Sequence, residues 1–205
     1  MFVSTLLALT MGSAARADTL STTSFSGTDN GITPGGAMFG VTATNTVTIS
    51  AVTILPTTTY SNGCPYAVYY TTSPLYSVLQ TPSAWTMVAS GTTGATSATA
   101  PATLNLSTPV TIPAGSTYGL FVTYTATCGV RYRNGTSLGA TVASDSNMRI
   151  LQGYGRLYDS TFSGTAFQPR VYVGTSTYTT CTASTWYRDA DGESFGTATT
   201  TQSAY

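Results

Sequence analysis

The chain has 205 residues, in which seven arginines balance seven acids and lysine and histidine are absent, so the formal net charge is zero. Only 7% of the residues are charged, against about 25% in an ordinary domain, and none of them lies between Asp29 and Arg131. This inventory excludes a basic stripe for nucleic acid. It also removes the imidazole and the amine on which most general-base, nucleophilic and metal chemistry depends.

Residues 1–17 open with an apolar run, Met1-Phe-Val-Ser-Thr-Leu-Leu-Ala-Leu-Thr-Met11, followed by the small-x-small pattern Ala15-Arg16-Ala17. That is the form of a signal peptide cut before Asp18, and it predicts a secreted or cell-surface protein. The alternative is a buried first strand. No other segment approaches the ~20 apolar residues of a membrane span. Three cysteines in an exported chain predict one disulfide and one remaining thiol. Cys64 in Asn62-Gly63-Cys64-Pro65 and Cys128 in Thr127-Cys128-Gly129 each sit in a turn at the end of a β-rich run, and are the expected pair. Cys181 is then free or has its partner beyond the 205 residues.

From residue 18 to residue 178 apolar residues recur at period two and nowhere sustain helical spacing, so the prediction is all-β. In chain order, strands are expected at 37–43, 47–51, 66–70, 85–90, 102–112, 118–124, 130–133, 148–151 and 170–173. Val47-Thr-Ile49-Ser-Ala51 alternates cleanly, and Tyr118-Gly-Leu120-Phe-Val122-Thr-Tyr124 has the aromatic and β-branched content of a central strand. Pro34-Gly35-Gly36, Leu55-Pro56, Ser73-Pro74, Thr81-Pro82, Pro113-Ala-Gly115, Asn134-Gly135 and Gln168-Pro169 supply the turns. Residues 91–102, all small, read as a flexible exposed loop. Many short strands at such intervals predict a two-sheet β-sandwich, a jelly roll or another Greek key, with a short irregular C-terminal tail. Threonine and serine on the outward positions keep its surface wet without charge.

Five arginines fall between residues 131 and 170 among tyrosines. Arg131 and Arg133 would share one face of a strand with Tyr132 opposite, and Tyr154 and Arg156 follow in a glycine-flanked segment. Guanidinium and phenol groups in this setting suit sugar recognition by stacking and hydrogen bonding. They equally suit structural pairing with Asp145 and Asp159, or a protein contact. The only carboxyls in the sandwich are Asp18, Asp29, Asp145 and Asp159, with no motif that makes a glycosidase pair of any two. A non-catalytic module is expected.

Several blocks taken together resemble a β-sandwich domain of large secreted and surface-anchored bacterial proteins. They are Gly36-Ala-Met38-Phe39, Trp85-Thr-Met-Val88, Ile112-Pro-Ala-Gly-Ser-Thr-Tyr118-Gly-Leu-Phe-Val122-Thr, Arg131-Tyr132-x-Asn134-Gly135 and Gln168-Pro169-Arg170-Val-Tyr172-Val-Gly174-Thr. The resemblance spans residues 20–178 and implies a contact module without catalytic residues. Residues 179–205 form a separate tail. There, Trp186-Tyr187-Arg188-Asp189-Ala190-Asp191-Gly192-Glu193-Ser194-Phe195-Gly196 is similar to the D-x-D-G-D-G-x-G repeat of secreted bacterial proteins with the metal-binding motif named after MopE. It implies calcium, with Asp189, Asp191 and Glu193 as ligands and the Phe195 carbonyl as a fourth, since a hard cation gathers converging oxygens. The tail departs from that pattern at Glu193, at Ser194 and at Thr200, and its alternative is a solvated turn. In such arrays a later cysteine follows, which would be the mate of Cys181. The expected partners are an extracellular or cell-surface glycan or protein. Self-association into a filament or sheath is the alternative, because an uncharged β surface lacks the repulsion that keeps sheets apart.

Overall fold

The computed structural model describes residues 17–22, 30–159, 162–180, 185–187 and 201–203. Residues 17–180 form one compact unit. Its strands are β1 (Ala17–Ser21), β2 (Asn30–Ile32), β3 (Gly35–Ala43), β4 (Val47–Ile54), β5 (Pro65–Thr71), β6 (Thr86–Thr92) and β7 (Ala102–Ile112). They continue with β8 (Thr117–Tyr124), β9 (Val130–Asn134), β10 (Thr141–Ser144), β11 (Met148–Leu157), β12 (Ala166–Tyr172) and β13 (Thr175–Thr180). A second, smaller unit contains β14 (Thr185–Tyr187) paired antiparallel with β15 (Thr201–Ser203).

The strands of the larger unit make an all-β sandwich of two antiparallel sheets. The smaller sheet has the order β1-β13-β4-β7, and the larger the order β2-β9-β12-β11-β3-β8-β5-β6, with β10 added on β11. Eight strands carry the fold: β1-β13-β4-β7 faces β3-β8-β5-β6 and the chain passes between the two, the jelly-roll form of paired Greek keys. The strands β9 to β12 are inserted between β8 and β13 and widen the larger sheet beyond β3.

Alternation along the strands builds the core. Phe39 and Val41 of β3 and Leu120 and Val122 of β8 turn inward to meet Ile49, Val52 and Ile54 of β4 and Leu104 and Ile112 of β7. Phe39 stacks on Tyr172 with ring centroids 4.1 Å apart, and the Tyr172 hydroxyl donates to the Thr53 carbonyl across the sandwich at 2.5 Å. The register of β7 against β4 shifts between Ile49 and Ala51. Near that shift Ser107 Oγ donates to the Val88 carbonyl of β6 at 2.7 Å, tying the two sheets along one side.

All nine expected strands are present, as is the disulfide between Cys64 and Cys128, whose Cα atoms are 5.9 Å apart. Outward hydroxyls stand where the composition placed them. Thr48 pairs with Thr111 at 3.0 Å, Ser21 with Thr175 at 2.8 Å and Thr42 with Thr117 at 2.7 Å, each across neighbouring strands. One expectation changes. The stretch at 91–102 is not simply a loose loop, because β6 extends to Thr92 and Thr96 is bonded to Tyr60 through both backbone groups.

Candidate functional site

The larger sheet is covered on both faces. While Phe39 and Leu120 point into the sandwich, Met38 and Phe121 point away from it and join Val78, Trp85, Tyr154 and Phe162 in a second apolar cluster. The cover over this outer face comes largely from the uncharged segment 72–85. It is built from two short 3-10 turns, Leu75–Ser77 and Pro82–Ala84, the second opened by a proline, whose missing N–H is harmless at the first turn. Trp85 Nε1 donates to the Val78 carbonyl at 3.0 Å and fastens the segment on itself.

Beside the cluster the outer face is hollow, and two glycines are among the residues that line it. Gly40 of β3 and Gly119 of β8 are cross-strand partners. A Cβ on Gly119 would lie 2.8 Å from Thr71 Cγ2 and 3.1 Å from Leu75 Cδ1, and one on Gly40 would lie 3.2 Å from Leu151 Cδ1. Glycine inside a strand marks such close approach. The groove encloses about 280 Å³ and is walled by Leu75, Tyr76, Leu138, Leu151 and Tyr154. A second hollow of about 370 Å³ shares Tyr76 and is lined further by Ser77, Leu79, Gln80, Thr81 and Arg156. Tyr76 therefore stands between the two hollows, and it is 71% exposed. An exposed phenol beside an apolar groove offers a ring face for stacking and a hydroxyl for hydrogen bonding.

Arg156 is buried beneath this region. Its Nη2 donates to the Phe162 carbonyl, and its guanidinium carbon lies 5.6 Å from the centroid of the Phe162 ring. Phe162 itself has a positive φ of 56°, an uncommon conformation for a bulky residue. Burial pushes the Arg156 pKa below its ordinary value, and the nearby Asp159 charge opposes that change. Burial likewise raises the Tyr154 hydroxyl, and burial together with the Tyr158 hydroxyl raises that of Tyr69.

The residues singled out from the sequence do not gather into one place. Tyr132 packs under Arg170, whose guanidinium carbon is 5.1 Å from its ring centroid, on the inward side of the sheet. Tyr154 and Arg156 lie on the outward side. Between β9 and β11 runs β12. Arg131 Nη2 donates to the Thr57 carbonyl at 2.9 Å, and Arg133 is half-buried opposite Val171. Asp145 accepts from the backbone of Asn147 and Met148 and, at 2.7 Å, from the Tyr178 hydroxyl, while Asp159 accepts from Ser163. Asp189, Asp191, Glu193 and Phe195, with Cys181 and residues 1–16 of the expected 1–17 leader, lie outside the described residues, while Ala17 opens β1. Among the described residues no cluster of three or more His, Cys, Asp or Glu could hold a metal ion, and no helix is long and apolar enough to cross a membrane.

Tyr76 and the Gly40–Gly119 pair were not singled out by the sequence reading. Their signal was available in part: each glycine interrupts a run otherwise suited to a strand, Met38-Phe-Gly-Val41 and Tyr118-Gly-Leu120.

No family model matches the chain, and no curated protein matches it. Among solved structures it is similar to the cysteine protease and lectin-like domains of a surface-layer-associated protein of Clostridium difficile, at 16% identity and a TM-score of 0.39. That match covers 70% of this chain and 32% of the other, so this chain spans about a third of the solved protein.

Proposed function

We propose that this is an exported, non-catalytic contact module that holds an extracellular glycan in the hollows on either side of Tyr76. One observation carries the reading: an aromatic ring 71% exposed beside an apolar groove lined by a cross-strand glycine pair. Sugar rings present C–H faces that stack on phenol, and the rim supplies Thr72, Ser73, Ser77 and Gln80 for their hydroxyls. Export is supported by the apolar leader and by a disulfide, a bond that persists in oxidising compartments. Calcium at Asp189, Asp191, Glu193 and the Phe195 carbonyl belongs to the same reading, as a clip that stiffens the tail. Calorimetry at millimolar calcium on the full chain should give heat, and its absence removes the clip alone.

Binding of the full chain to a panel of immobilised polysaccharides tests the central part. Tyr76→Ala should lose the binding while melting at the temperature of the parent chain. A parent chain that binds no polysaccharide, or that turns one over, contradicts the reading.

A second reading, assembly into a filament or sheath, is favoured by the outer face of the smaller sheet. One row across it runs Ser21, Thr175, Thr53, Thr103 and another Thr179, Thr48, Thr111, all neutral. Electron microscopy of concentrated protein distinguishes the two.

A further inference from the structure

We infer that the second hollow is an acidic subsite, in which Arg156 receives the carboxylate or sulphate of a charged saccharide. This rests on the contact reading and narrows it to a chemical class. Arg156 is 1% exposed and lines the hollow, yet its Nη1 is buried without a hydrogen-bond partner. Its other half is committed, with Nη2 on the Phe162 carbonyl and the Phe162 ring beside the guanidinium. An unpaired donor on a buried cation is far more costly than one on a neutral group, and an anionic oxygen is its strongest partner.

The surroundings favour a single anionic group. The other residues lining the hollow, Tyr76, Ser77, Leu79, Gln80, Thr81 and Ala166, are all neutral, so none competes for the guanidinium. Gln80 and Thr81 are exposed and bring an amide and a hydroxyl donor to the same anion, while the Ser77 hydroxyl is committed to the Pro74 carbonyl at 2.8 Å. Among the described residues, Asp159 is the acid whose charge is felt at Arg156. It belongs to the loop beyond β11, where its two carboxylate oxygens accept from the Ser163 backbone and hydroxyl. Tyr76 then stacks on the sugar ring while Arg156 reads the substituent, which makes Arg156 a selectivity residue and Tyr76 the general anchor.

Calorimetric titration of the full chain separates the possibilities, with four probes: an oligogalacturonate, its methyl ester, a sulphated oligosaccharide and its desulphated form. At least one acidic member should bind about tenfold or more tightly than its neutral counterpart, with the advantage shrinking as salt rises. The pair that shows the advantage identifies the anion as carboxylate or sulphate. Arg156→Met should erase the difference. If that variant fails to fold, the acid-against-neutral comparison on the parent chain still decides. Equal affinity within both pairs, or binding of none of the four, overturns the acidic subsite. Tyr76-dependent binding of neutral polysaccharides, measured separately, would leave the contact reading standing in either case.

Discussion

Single residues set the chemistry of this surface. At Gly119 even one added methyl meets Thr71 and Leu75 at 2.8 and 3.1 Å. Gly119→Ala should therefore destabilise the chain by about 1–3 kcal/mol, as overpacking does, and urea unfolding will measure it. A second residue-scale prediction concerns buried phenols. Burial raises the pKa values of Tyr124 and Tyr172 above the ordinary 10.0, so the neutral form is favoured in the fold and the unfolded chain ionises first. Their contribution is complete below pH 10 and is lost as pH climbs from there towards the folded values. The melting temperature should fall over that range. The Tyr124 hydroxyl is buried without a hydrogen-bond partner, so Tyr124→Phe should leave the neutral-pH stability unchanged or raise it by about 1 kcal/mol and reduce the alkaline loss.

At the scale of elements, the disulfide joins the turn before β5 to the turn before β9 across a sequence separation of 64. Closing a loop of that length limits the unfolded chain strongly, so Cys64→Ala with Cys128→Ala should cost about 2–5 kcal/mol, read as a lowered melting temperature. Which elements were legible in the sequence follows from their side chains. Val47 to Ala51 and Tyr118 to Tyr124 announce strands because large apolar residues alternate along them. Strand β13, Thr175-Ser-Thr-Tyr-Thr-Thr, turns only Ser176 and Tyr178 inward, yet it lies between β1 and β4 near the middle of its sheet. Its identity as a strand comes from hydrogen bonds to partners more than a hundred residues away, which no local pattern carries. The site shows the same division. Arg131, Tyr132, Arg133, Tyr154 and Arg156 are near in sequence, but β12 separates the two strands that carry them and alternation sends Tyr132 to the opposite face. Tyr76 reaches the hollow through a segment that reads locally as nothing more than turns around prolines.

For the molecule as a whole, the small charge count leaves hydroxyls and a few aromatic groups to govern contact. One face of the sandwich is a neutral array of threonine and serine, while the opposite face, on the larger sheet, bears the hollows around Tyr76. The chain should stay monomeric in sedimentation at high concentration and bind glycan through that second face. Chemical-shift mapping of the full chain with a bound saccharide tests this most directly. The perturbed amides should cluster in residues 72–81 and 135–140, and Tyr76→Ala should abolish the perturbations. Perturbations confined to β9 around Arg131 and Arg133, or to the threonine face, would contradict the contact reading.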